Sequence, residues 1–416
     1  MIEALTLTMR ILAITHNFPN EGNPFSGIFA ARQLDEMRRQ GHEVTVMVPV
    51  VWAPSVVRRF RRWRKYNHTW RHAYNGIEPI VRPRLCLPGV WFNPWLLRLA
   101  YRALRPKAVA LHMAAPFDIL YARFLYPDGY AAMRLAEDLK IPAVAVSAGS
   151  DLLIQSVRSG RINRDLYRML EKLDGLVTSG RLAAEKIEFL CGRQPLALHG
   201  VVDTEQFRPA DDKAAAKAAL GLAPDRPSVL YVGTLLKTKG VYELLEAFLN
   251  IRKAVPQLTL NICGPGDEYD AMQTVIRNAG AEDDIQLVGP VAPERVSQWM
   301  QAADLFVLPS YSEGMPNVVM EAMACGLPVV VTAVGGVPYE LSDCPGAILI
   351  PPRQVDPLAE AMKKILTDNA LQIEMQNAAR QKALQRFSVQ KNTKTLIHYM
   401  EQILNKQSNV LTSEKM

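Results

Sequence analysis

Two glutamates eight residues apart, Glu313 and Glu321, frame the segment of this 416-residue chain whose residue types best suit chemistry. They lie in Ser310-Tyr311-Ser312-Glu313-Gly314-Met315-Pro316-Asn317-Val318, which follows the apolar run LFVLP and closes at Gly326, so the pattern predicts strand, loop and helix. Gly314 permits a tight turn, Pro316 suits the first helical turn and Gly326 the C-terminal exit. The amides of residues 316–319 are then expected to be free, and with the partial positive charge of a helix N-terminus they favour a phosphate group. Ionised carboxylates only accept hydrogen bonds, so Glu313 on the loop suits sugar hydroxyls and Glu321 in the second turn suits the vicinal hydroxyls of a ribose. An isolated glutamate pair also describes a solvated helix end; a second loop, Val232-Gly233-Thr234-Leu235-Leu236-Lys237-Thr238-Lys239-Gly240, adds cations after another strand and shifts the reading towards a site.

The elements that must position these loops are short apolar runs alternating with helical stretches. Ile11 to Thr15, Val44 to Val50, Ile141 to Val146 and Leu176 to Thr178 read as strands, with a helix over Phe29 to Gln40 ending at Gly41. The alternation restarts after Arg208 to Arg226, with Val229 to Val232, Leu258 to Cys263, Ile285 to Leu287, Leu305 to Leu308 and Val329 to Thr332. The fold class is therefore α/β: two doubly wound parallel-sheet domains, with ligands expected at strand C-termini in a central cleft. The expected division is residues 1–203, an acceptor-side domain, 204–385, a donor-binding domain, a terminal helix over 386–405 crossing back to the first domain, and a flexible tail over 406–416.

At 49% hydrophobic and 21% charged residues the chain falls outside the disordered class. The longest uncharged run, Ala322 to Tyr339, carries three glycines and two prolines and does not suit a spanning helix. Five scattered cysteines without a CxxC pair read as reduced thiols, no histidine has metal-ligand spacing, and the start lacks a secretory leader's basic and apolar regions, so a cytoplasmic protein without a metal site is expected.

Taken together, these motifs resemble family-four retaining glycosyltransferases (group 1), whose GT-B fold places two Rossmann-like domains about a cleft. The resemblance runs from Ile11 to about Gln385. It implies that Glu313 contacts the donor sugar, Glu321 the nucleotide ribose, and the amides between them phosphate and sugar hydroxyls, through Gly314, Met315, Pro316, Asn317 and Val318. Gly233 to Gly240 resembles the diphosphate loop, with Lys239 matching its lysine and Thr234 standing where the family has an arginine; Lys237 or Arg123 is a candidate to compensate. Gly264 lies in a matching glycine turn, Val288 and Gly289 beside the expected base position, Gly335-Gly336 in a late glycine pair, and Gly27 in the loop that approaches the diphosphate from the first domain. His199-Gly200-Val201-Val202-Asp203 resembles the interdomain connection. Asp118 to Gly129 and Pro142 to Asp151 resemble the acceptor-side loops, where the usual histidines are replaced around Tyr121, Arg123 and Ala148. The implied activity is transfer of a sugar from a nucleotide-diphosphate sugar, a co-substrate rather than a cofactor, to a cell-surface polysaccharide or lipid-linked acceptor, with retention, without metal and with Lys239, Glu313 and Arg123 as catalytic candidates. A catalytically silent scaffold binding a nucleotide sugar or polyanion is the alternative.

Charge points to a further partner. Residues 1–203 hold 28 basic and 17 acidic side chains, a balance of +11, against −4 in the remainder. Arg58, Arg59, Arg61, Arg62, Trp63, Arg64 and Lys65 form its centre, with no acid from Val44 to Ile77. Interleaved arginine and tryptophan suit an anionic membrane surface or a polyprenyl-linked acceptor, and peripheral attachment at the inner face of the cell membrane. Single-stranded nucleic acid fits the same composition but is not the partner expected.

Overall fold

The computed structural model describes residues 8–24, 26–52, 71–85, 94–147, 152 and 160–413. The chain divides into two compact units, one comprising the chain up to His199 together with the segment from Val389, the other Gly200–Ser388.

The first unit holds a parallel sheet of β1 (Arg10–Ile14), β2 (Glu43–Trp52), β3 (Ile80–Leu85), β4 (Ile119–Ala122), β5 (Ala143–Ser147), β6 (Gly175–Thr178) and β7 (Leu196–Ala197), in the order β3-β2-β1-β4-β5-β6-β7. Its central strands β4, β5 and β6 are buried at every position, as in a parallel sheet covered on both faces. Two apolar layers lie on the two faces: one around Leu12, Leu120 and Leu135, the other around Ile11, Tyr121 and Leu34. Sequence reading passed over β3, β4 and β7. The two residues of β7 and four of β4 are too few to show a period, and β3 contains Pro83.

The second unit repeats the plan with β8 (Ser228–Val232), β9 (Thr259–Cys263), β10 (Ile285–Gly289), β11 (Leu305–Leu308), β12 (Val329–Thr332) and β13 (Ala347–Ile350), in the order β10-β9-β8-β11-β12-β13, all parallel. β13 was missed because its positions are only half-buried along most of its length. At the base of this sheet Asp304 accepts from Lys217 at 2.8 Å, Lys213 at 3.0 Å and the Ser228 amide at 3.0 Å, so the buried Lys217 ammonium is paired.

The division falls at His199/Gly200 and Ser388/Val389 rather than at 203/204 and 385/386. The Val202 amide donates to the Phe387 carbonyl at 2.9 Å and Val202 bridges Ser388, so the two connecting segments pair within the second unit. The terminal helix expected over 386–405 spans Val389–Ser413 and is separate from the helix before it. Asn369–Lys382 packs in the second unit, while Val389–Ser413 buries Leu396, Ile397, Met400 and Ile403 against the first sheet. Gly175 in β6 makes room for that helix, since a Cβ there would meet Ile403 and Val144 at 2.7 and 2.8 Å. The tail expected from 406 is helical through Ser413, and Gln407 donates to Asp174 at 3.0 Å. Among the described residues no helix is long and apolar enough to cross a membrane.

His42 ties the start of β1 to β2. Its Nδ1 accepts from the Met9 amide at 3.2 Å, and burial holds its pKa below the ordinary 6.5 against the opposing pull of Glu401. Burial depresses His72 in the same direction, against hydrogen bonds to the Phe18 and Pro19 backbone. The unfolded chain therefore binds more protons just below pH 6.5, and stability present above that value is lost as pH falls towards the folded pKa values. The melting temperature should drop between about pH 6.5 and 5, and His42→Gln, which keeps an acceptor but cannot titrate, should flatten part of that slope. An identical slope in the variant would remove His42 from the explanation.

Candidate functional site

In the second sheet the chain order reverses at β8, which pairs with β9 on one side and β11 on the other. Loops leaving the C-terminal ends of such neighbours turn to opposite faces of the sheet and open a crevice between them. The loop after β8 carries Gly233, Thr234 and Lys239; the loop after β11 carries Glu313 to Pro316. They are joined directly. The Tyr311 amide donates to the Thr238 carbonyl at 2.9 Å, and Lys239 Nζ lies 2.6 Å from Glu313 Oε1, with the two side chains 29% and 13% exposed. Thus the cation expected on a diphosphate and the carboxylate expected on a sugar form one ion pair, which fixes a long lysine that would otherwise be free to rotate.

Tyr311 braces the same loop. Its hydroxyl donates to Glu243 Oε1, and Arg353 lies 4.6 Å over its ring. Burial first and Glu243 second push its phenol up to about 12. From below, the Thr332 hydroxyl donates to the Ser310 carbonyl. Neither brace was legible in sequence, because Glu243 and Thr332 come from distant elements.

The late glycine pair forms the other wall. Gly335 has φ +55°, and a Cβ there would run into the Glu313 carbonyl, while the Gly336 amide donates to the Gly314 carbonyl at 2.9 Å. The Gly264 turn does the same for the β8 loop: its amide takes the Gly289 carbonyl at 2.8 Å, and its Cβ position is filled by the Gly233 carbonyl. Val288 is half-buried against the core beside it.

The helix that follows spans Asn317–Ala324, with Pro316 as its extended N-cap at φ −72°, ψ 128° rather than in the first turn. This corrects the expectation of free amides over 316–319. Proline has no N–H, and the Val319 amide returns to the Pro316 carbonyl at 3.1 Å, leaving Asn317 and Val318 as the first-turn donors without a side-chain cap. Met315 and Val318 pack half-buried on the core. Glu321 is only 7% exposed, on the second turn. At the far end Gly326 is left-handed, at φ +71°, and Arg380 donates to the Ala324, Phe207 and Thr204 carbonyls at 2.6, 3.0 and 3.2 Å. Burial pulls the Arg380 pKa below its ordinary value.

The remaining expected residues belong to the first unit. Gly27 caps the Ile28–Arg39 helix with φ +64°, and a Cβ there would strike the Asn17 carbonyl. Arg123 follows β4 and is 4% exposed. His16, which no spacing in the sequence marks out, pairs through Nδ1 with the fully buried Asp128 carboxylate at 2.9 Å. The chain separates these two residues by 112 positions, and no local spacing joins them. Arg58, Arg59, Arg61, Arg62, Trp63, Arg64 and Lys65 lie outside the described residues.

Two family models cover most of the chain, "Glycosyltransferase Family 4" over residues 27–206 and "Glycosyl transferases group 1" over 212–382. A Bacillus subtilis glycosyltransferase named for teichuronic acid biosynthesis is 30% identical over 400 residues, 95% of this chain and 99% of its own. The chain belongs to the group 1 glycosyltransferases. Their GT-B fold is also that of its structural neighbours. Sucrose-phosphate synthase from Thermosynechococcus elongatus superposes with TM-score 0.73 at 20% identity, covering 96% of this chain and all of the other. Anabaena HepE, solved in complex with UDP, gives 0.69 at 19% identity, covering 95% and 100%. The protein is thus a sugar-transferring enzyme of two Rossmann-like domains.

Because Arg380 holds both the exit of this glycosyltransferase's site helix and the 204–207 segment, Arg380→Ala should leave three carbonyls without their charged donor and cost about 2–4 kcal/mol in the second unit. Chemical denaturation monitors this directly. An unchanged unfolding midpoint would mean that water replaces the guanidinium without loss.

Proposed function

We propose that this glycosyltransferase takes its sugar from a nucleotide-diphosphate donor held by the loops after β8 and β11, and passes it to a cell-surface polysaccharide or lipid-linked acceptor. The observation that carries the reading is the Lys239–Glu313 ion pair at the sheet's reversal point, next to an uncapped helix N-terminus. As the donor bond breaks, positive charge grows at the anomeric carbon and negative charge on the departing diphosphate. Lys239 and the Asn317 and Val318 amides meet the negative end; Glu313 accepts from sugar hydroxyls and, as a fixed anion, favours the positive centre.

Glu321 accepts from the ribose hydroxyls. Gly233, Thr234, Gly264, Gly314, Met315 and Pro316 bring backbone close to phosphate and sugar, and Val288 and Gly289 flank the base. The reading invokes no metal, and retention follows the family pattern. The UDP bound to the Anabaena neighbour supports a nucleotide sugar as co-substrate, and the name of the Bacillus relative supports a polysaccharide product. The Arg58 to Lys65 stretch supports an anionic membrane surface as partner at the cytoplasmic face.

Lys239→Ala should cut turnover by roughly 100-fold or more, through lost stabilisation of the leaving group. Glu321→Gln should weaken UDP binding about 10-fold, measured by calorimetric titration. Wild-type turnover in the first and wild-type UDP affinity in the second would together exclude this site.

A further inference from the structure

β9 carries an asparagine at its centre. Asn261 lies between the fully buried Leu260 and Ile262 and is itself only 2% exposed. Asparagine is depleted in strands, and a buried carboxamide needs partners at both of its ends. One end is engaged: Nδ2 donates to Ser228 Oγ at 3.2 Å, whereas Oδ1 meets no donor among the described residues. Register sets Asn261 beside Leu230 of β8 and Gln286 of β10. Ser228, Asn261 and Gln286 therefore share one face of the sheet.

That face holds a cavity of about 280 Å³, lined by all three residues and by Lys217. It is close to the lower end of the range that small-molecule sites occupy, roughly 300–1,000 Å³. Lys217 and Ser228 are as deeply buried as Asn261, and each keeps a proton to give. Lys217 Nζ spends two of its three protons, on Asp304 Oδ2 at 2.8 Å and the Arg226 carbonyl at 2.7 Å. The Ser228 hydroxyl accepts from Asn261 and donates within the described residues to no acceptor. One open acceptor and two open donors thus line a single cavity.

Charge narrows the ligand. The cations here are already paired, Lys217 with Asp304 and Arg226 with Asp284 at 2.9 Å, while Glu282 and Asp283 stand exposed at the rim. An anion would meet carboxylates before it met a cation. An apolar ligand would leave the Asn261 oxygen unsatisfied. A hydroxyl group both accepts and donates, so a neutral ligand with several hydroxyls answers Lys217, Ser228 and Asn261 together. Beyond the outer edge of β10 a second cavity, of about 410 Å³, shares Glu282, Asp283 and Gln286 with the first and adds Tyr269.

We propose that the N-terminal edge of the second sheet is a binding site for a neutral saccharide, seated on Asn261, Ser228 and Lys217 with Gln286 at its mouth. Two sources supply that chemistry: a free sugar, or a unit of a longer glycan chain running on into the second cavity. The loops after β8 and β11 leave the opposite edge, roughly 15 Å away along a five-residue strand. The site uses residues of the second unit alone and does not rest on the donor reading above.

The experiment titrates the full-length protein, Asn261→Leu and Gln286→Ala with glucose, galactose, N-acetylglucosamine and maltotriose, and with glucuronate as the anionic control, following backbone amide chemical shifts. At least one neutral saccharide should shift the amides around Asn261 and Gln286. Asn261→Leu should weaken that binding about tenfold or more, Gln286→Ala about threefold, and glucuronate should bind more weakly than glucose. Tighter binding of maltotriose than of the single sugars names a glycan chain; equal or weaker binding names a free sugar. UDP affinity serves as the control for an intact fold and should stay within twofold of wild type in both variants. If Asn261→Leu fails that control, the exposed Gln286→Ala carries the test. Three results would overturn the proposal: no shift at tens of millimolar of any neutral saccharide, shifts confined to residues 233–240 and 310–318, or saccharide affinities within twofold of wild type in correctly folded variants.

Discussion

All strands described within each sheet run parallel, and that one constraint governs where everything else can be. A parallel strand cannot return by a tight hairpin, so the chain must cross back through a helix and every strand of a sheet ends on the same edge. Residues far apart in sequence are thereby delivered to one rim. In the second unit this brings Lys239, Glu313 and Gly335 together from the ends of β8, β11 and β12. In the first it brings His16 to Asp128 and sets Arg123 over Phe29, from the ends of β1 and β4.

Rim loops carry polar backbone that no sheet neighbour satisfies, and this molecule meets the problem by packing loop on loop. Gly336 donates to Gly314, Gly264 to Gly289, and Tyr311 to Thr238. Such backbone contacts work only where a side chain is absent on the near side, as the filled Cβ positions at Gly335 and Gly264 demonstrate. These loops, anchored on the core through Leu235 and Met315, carry the Lys239–Glu313 pair at 2.6 Å. Arg380 supplies the matching anchor at the far end of the Asn317–Ala324 helix, so its two termini are held by different means: an open N-terminus with donors to offer, and a C-terminus with its carbonyls occupied.

Much of the site was legible because it is local. The sequence Glu313-Gly314-Met315-Pro316-Asn317 encodes its own strand exit, turn and helix start, and Lys239-Gly240 encodes a compact turn after β8. Where the local reading slipped, one residue explains it: Pro316 ends up as cap rather than first helical residue, which reduces the free amides to Asn317 and Val318. The short strands β4 and β7 escaped because two to four residues cannot show a period, and the break between Lys382 and Val389 escaped because helical residues continue across it. Segments 200–207 and 387–388 joined the second unit through a backbone pairing that side-chain type does not announce.

By itself the sequence determined the α/β class, the restart of the alternation after the connection, the glycines that permit close approach and the residue types at the loop tips, since each depends on neighbours within a few positions. Only the tertiary structure decided which of those tips meet. It paired Lys239 with Glu313, made Tyr311 a brace through Glu243, and gave His16 its partner in Asp128. It also left Arg123 buried, at 4% exposure, with Nε and Nη1 meeting no acceptor among the described residues. Burial and pairing are properties of strand order, and strand order is set by how the apolar faces of distant segments pack, which no window of sequence contains.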